Sequence, residues 1–250
     1  MATAMKAKVK YSTGASEIGS AKDFPWEYGV PDNDFWNDLD WKIGKNFLTC
    51  FTDAEIDAMT PQLKGTLSRT EKIKLLRCLL QDTLAFEERN LAPKSLLEVD
   101  VKRWKVLMFA IGDTYRIDGN PTEERKNLEE IIAKSKPASK LAHNHHLASL
   151  MVDTGQYAEA VKTEIPVLTL LDEKLGVDSP QSLGGRRIIA SALWKLGKKE
   201  EAENMIEQVW KNIELSAYGQ FAAYQEEEKR ITQELMSELQ AWDEKVKEST

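Results

Sequence analysis

The sequence predicts an all-α protein built of stacked antiparallel helical hairpins, and three observations carry the prediction. One pattern occurs twice, forty-two residues apart: Leu147, Ala148, Met151, Gly155, Tyr157, Ala160, and then Ile189, Ala190, Leu193, Gly197, Lys199, Ala202. Repetition at that period marks an array of helical hairpins. Apolar residues elsewhere recur at spacings of three and four, the mark of helices that bury one stripe. No segment alternates convincingly in the two-residue rhythm of a strand.

From the amino terminus, residues 1–22 are rich in Lys, Ala, Ser, Thr and Gly without periodicity and read as a disordered tail. Residues 23–51 form an aromatic-rich arm, which holds eight of the chain's twenty aromatics, among them Trp26, Trp36 and Trp41. Such a density is expected to bury itself against helices, and a short helix fits Asp34 to Phe47. Residues 52–104 are expected to be amino-terminal helices packed on the array. Thr52 and Glu55 form a capping-box start, and that helix ends before Pro61. A helix follows from Ser68 to about Asn90, with Ile73, Leu76, Leu79, Leu80 and Leu84 forming one apolar stripe.

The array spans residues 105–217. A helix from Val101 to Arg116 ends at Gly119, and helices are expected at about 122–135, 139–153, 156–174, 180–196 and 199–214. Pro166 falls inside one of them, where it removes a backbone donor and should bend the helix. Residues 218–250 read as one long capping helix. Its seam of Ile231, Leu235, Leu239, Trp242 and Val246 is close to a heptad, so dimerisation through it is an alternative.

Composition excludes several classes. The net charge of −7 argues against a nucleic-acid surface, no stretch approaches a membrane span, and Cys50 and Cys78 are too isolated for a disulfide framework or a zinc site. The amino terminus has lysines but no apolar run, so no secretory signal is expected, and reduced thiols point to a cytoplasmic protein. His143, His145 and His146 share one helical turn. The first and last could meet one metal, but no third ligand is nominated, so neither a metal nor a cofactor is expected. Phosphate-loop, zinc-protease, nucleophile-elbow and Cys-x-x-Cys motifs are absent, and no catalytic residue is nominated. The Arg186-Arg187 pair could fork a carboxylate or phosphate.

The segments Gly155-Gln156-Tyr157-Ala158-Glu159-Ala160 and Gly197-Lys198-Lys199-Glu200-Glu201-Ala202 resemble the turn and second-helix opening of tetratricopeptide repeats. The forty-two-residue period, with Leu175-Gly176-Val177-Asp178-Ser179-Pro180 between the copies, is similar to the longer repeat of kinesin light chains. A weaker third unit lies upstream at Ile111, Gly112, Tyr115 and Gly119, where Glu124 stands in place of a small residue. The resemblance implies a concave groove lined by Phe109, Asp113 and Arg116, then His145, Ser149 and Val152, then Arg187, Ser191 and Trp194. It also implies a non-catalytic adaptor or scaffold for a protein or peptide partner, with an acidic group on that partner suiting the basic and hydroxyl lining. The carboxylate clamp that holds chaperone tails is absent, since Phe109, Asp113, His146, Gly184 and Ile188 occupy its positions. An enzyme or small-molecule and anion binder, its pocket roofed by the aromatic arm and lined by His145, Arg187 and Trp194, is the alternative.

Overall fold

The computed structural model describes residues 7–10, 27–30, 34–36, 39 and 41–248 of the chain. They divide into two compact units, Met1–Asn127 and Leu128–Thr250. Eleven α-helices are found among the described residues.

The first unit departs from the all-helical expectation at one place. Ala7–Lys10 (β1) and Glu27–Val30 (β2) pair antiparallel, with Ala7 opposite Val30. The sequence around β1 does alternate, since Met5, Ala7, Val9 and Tyr11 are separated by Lys6, Lys8 and Lys10, a strand signal that reading the segment as a tail without periodicity missed. The remainder of the expected tail, together with Trp26, lies outside the described residues. The expected helix from Asp34 to Phe47 is instead a 3-10 turn, Asp34–Trp36, followed by α1, Trp41–Leu48. Phe35, Trp36 and Phe47 are buried, and Phe35 meets Trp36 edge to face at 5.1 Å. The Trp41 side chain is outside the described set.

Helix α2, Asp53–Met59, starts at the capping box of Thr52 and Glu55. Helices α3, Arg69–Leu91, and α4, Leu96–Val99, use the same device at Ser68 with Glu71 and Ser95 with Glu98. Each cap holds its glutamate below the usual carboxylate value, by hydrogen bonds from the cap residue's backbone and hydroxyl. Helix α5, Val101–Ile117, buries Trp104, Leu107, Met108 and Ile111 against α3 and its neighbours. Helix α6, Pro121–Lys134, carries the chain into the second unit.

The second unit continues with α7, Pro137–Asp153, α8, Tyr157–Leu175, α9, Pro180–Lys195, α10, Lys199–Ser216, and α11, Gln225–Glu248. The last helix begins seven residues later than expected, because Gly219 and a 3-10 turn, Ala222–Tyr224, intervene. Helix α8 runs through Pro166 as one element.

Three turns repeat one hydrogen-bond pattern. The Gly119 N–H donates to Arg116 O and the Asn120 N–H to Tyr115 O; Gly155 and Gln156 donate likewise to Val152 and Met151, and Gly197 and Lys198 to Trp194 and Leu193. These are Schellman closures, and each glycine sits at positive φ, from 67° to 81°. The turns therefore need glycine for conformation, because a Cβ there would meet open space. Past each of the last two turns, Ala160 and Ala202 are fully buried. In the weaker upstream unit Glu124 is buried but paired with Arg116 Nε at 2.6 Å, and the close approach is supplied by Gly112, where a Cβ would lie 2.6 Å from Asn127 Oδ1.

Ser179 caps α9 from a buried position, its Oγ accepting from the Ser182 N–H at 3.1 Å. Ser179→Ala is expected to lower unfolding free energy by about 1 kcal/mol. Urea denaturation checks this, and an unchanged midpoint would show that the cap is replaced by water.

Candidate functional site

The hairpins α7/α8 and α9/α10 place their first helices, α7 and α9, side by side. Residue pairs Arg187 with Thr232 and Trp194 with Asp243 show that α11 runs parallel to α9 as a third such helix. Its register is the repeat's own: Ile231, Thr232 and Leu235 stand forty-two residues after Ile189, Ala190 and Leu193. That offset was readable in the sequence, but it was masked by the heptad-like seam. Part of the seam is used within the chain, since Leu239 is buried against Ala190 and Ile206, and Trp242 meets Tyr157 edge to face at 6.2 Å, whereas Val246 is exposed.

Between α7, α9 and α11 lies a cavity of about 350 Å³. Five expected groove residues line it: His145, Ser149, Val152, Arg187 and Ser191. Ile188, Ile231 and Leu235 supply apolar wall, and Asp153, Glu234 and Glu238 acidic wall.

His145 is positioned by α8. Its Nδ1 lies 2.7 Å from Glu164 Oε1, and Glu164 is completely buried beside Gly185, where a Cβ would come within 2.7 Å of the carboxylate. This pairing orients the ring and leaves its other edge against Gly184 on the cavity wall. His143 is buried and His146 exposed. Among the described residues no group of three His, Cys, Asp or Glu could hold a metal ion. Cys50 is buried, and its burial pushes the thiol up to about 12, against the pull of Arg103, so it stays protonated.

The arginine pair does not offer a free fork. Arg186 makes a bidentate pair with Asp172 at 2.9 and 2.7 Å, and Arg187 lies 2.7 Å from Glu228 and donates to Thr232. Burial raises the Glu228 carboxyl above its ordinary value, and Arg187 opposes that rise. Trp194 lies outside the cavity, on the wall of a second crevice, where its indole N–H donates to Asp243 at 3.1 Å.

Phe109, Asp113 and Arg116 lie on α5 of the first unit. There α1 packs against α5, the Asn46 amide donates to Asp113, and Arg116 pairs with Glu124. The α1 contact covers part of the face expected to line a groove, a long-range contact that spacing along α5 cannot reveal.

No helix among the described residues is long and apolar enough to cross a membrane. No protein-family model and no curated protein matches the chain. Two solved structures do. The first is a crystal structure of a single-substitution variant of a Podosopora anserina putative kinesin light chain with nearly identical TPR-like repeats. It is 19% identical, with 83% of this chain and 97% of that chain covered and a TM-score of 0.50. A second crystal structure of a putative kinesin light chain from the same organism is 19% identical at a TM-score of 0.49, covering 82% and 96%. With the recurring Schellman turns and the buried alanines, the first likeness establishes that the chain has the fold of a tetratricopeptide-like repeat protein.

Proposed function

We propose that the chain is a non-catalytic adaptor that binds a protein or peptide segment in the cavity between α7, α9 and α11. The observation that carries this reading is the cavity itself, framed by three parallel first helices, with apolar wall from Ile188, Ile231 and Leu235, an oriented imidazole at His145 and hydroxyls at Ser149 and Ser191. An acidic ligand group would have to break the Arg187–Glu228 pair and pass Asp153, Glu234 and Glu238, so a neutral, apolar and hydroxyl-bearing segment suits the cavity better. Leu239 and Trp242 of the α11 seam pack within the chain, which leaves that helix less apolar surface for dimerisation and favours a different partner.

A random peptide display library selected on the whole protein tests the reading. Selected peptides are expected to bind the Ser149→Trp variant at least tenfold more weakly, because the indole would fill the cavity, while circular dichroism stays unchanged. Equal binding to the variant and the native chain removes the cavity as the site.

A further inference from the structure

A second opening lies in the same unit, between α10 and α11, on the far side of Trp194 from the cavity. It has a volume of about 360 Å³ and a floor of Trp194, Ile206, Trp210, Met236 and Leu239. Glu203, Glu207 and Gln240 stand at its rim. Along α10 the residues facing it are Glu203, Ile206, Glu207 and Trp210, the offsets of one helical stripe. A stripe facing a helix of its own chain would ordinarily be apolar throughout. Here it carries two carboxylates one turn apart, both exposed, and among the described residues neither has an ion-pair partner.

We propose that this crevice docks a basic peptide segment that presents an aliphatic or aromatic side chain flanked by lysine or arginine. The apolar floor opens to solvent between acidic side chains, so it suits an apolar side chain from outside. The stems of lysine and arginine lie along such a floor while their heads reach carboxylates at the rim. Lys199, one turn before Glu203 on α10, is neutralised by Asp243 and already lies over the Trp194 ring at 5.2 Å. It therefore does not offset the charge of the rim, where the half-buried Trp210 lines the crevice within a turn of Glu207. From residue 203 to 210 the wall is about 10 Å long, room for two turns of helix or a few extended residues. The acidic rim repels anionic lipid and nucleic acid alike, which leaves a peptide as the occupant. The crevice is separate from the cavity proposed above, and either can stand without the other.

Two labelled synthetic peptides of equal length test it, one with arginines flanking a pair of leucines and one with glutamates at those positions. Fluorescence anisotropy with the whole protein is expected to show binding of the basic peptide alone, accompanied by a change in tryptophan emission. The double variant Glu203→Lys with Glu207→Lys, at exposed positions, should weaken that binding about tenfold at low salt while melting is unchanged. Glu159→Lys with Glu173→Lys, the same charge change on exposed positions of α8, and Ser149→Trp in the cavity should leave it intact. The proposal is overturned if both peptides bind alike or neither binds, if the Glu203 and Glu207 change has no effect, or if either control variant weakens binding as much.

Discussion

Arg187→Ala is expected to destabilise the protein by about 3 kcal/mol at neutral pH, because it leaves the largely buried Glu228 carboxylate without its counter-charge. The side chains of the pair are only 11% and 7% exposed, and the contact joins α9 to α11 at 2.7 Å. The pH dependence of the loss has a definite sign. Burial already holds Glu228 above its ordinary value of 4.5 even with Arg187 pulling the other way, so the variant raises it further. A carboxyl whose folded value is raised destabilises the fold when ionised. Its stability is retained below the unfolded value and lost as pH rises through the folded one. The deficit of the variant should therefore be largest at neutral and alkaline pH and shrink as pH falls toward 4.5. Urea denaturation across that range measures it. Adding Glu228→Leu should recover part of the loss, since it removes the stranded charge. A loss under about 1 kcal/mol, or one that grows in acid, would contradict the assignment of this pair as the tie between α9 and α11.

The Arg186-Arg187 pair, which the sequence offers as a candidate fork for an anion and the structure engages with Asp172 and Glu228, shows where one-dimensional evidence ends. Turn glycines, buried alanines and capping boxes were legible because each is a requirement of local backbone geometry or of a fixed helical offset: Gly155 and Gly197 at positive φ, Ala160 and Ala202 fully buried, Thr52 with Glu55. The cavity was legible in part, since His145, Ser149, Arg187 and Ser191 follow from the repeat offset. What spacing cannot carry is the identity of a partner forty or more residues away. Glu228 as the counter-charge of Arg187, Asp243 as the acceptor of the Trp194 indole, and α1 against Asp113 all depend on how helices approach one another. The register of α11 is the instructive exception. Ile231, Thr232 and Leu235 repeat the offset of Ile189, Ala190 and Leu193, yet the spacing of the same helix also fits a heptad, and the two patterns share residues.

Ala160→Phe is expected to cost about 3 kcal/mol, the upper end for overpacking, because this position has no exposed surface and no slack around it. Its methyl group packs in one cluster with Leu147, Met151 and Val152 of α7 and Ala192 of α9. A phenyl ring there must displace backbone on two sides, and neither α7 nor α9 can yield without disturbing the hairpins they belong to. The matched control is Ala158→Phe, on the exposed face of the same helical turn, which should shift stability by no more than about 0.5 kcal/mol. Urea titrations of the two variants decide the matter, and equal midpoints would mean that Ala160 does not hold α7, α8 and α9 together. The consequence reaches the cavity. Val152 lines it and also belongs to the Ala160 cluster, so a ring inserted at position 160 pushes on the wall from behind. Peptides selected on the native chain should then lose affinity for the Ala160→Phe protein at temperatures where its circular dichroism is still native, because Ala160 of α8 packs against both α7 and α9 and a ring there shifts the helices that shape the cavity.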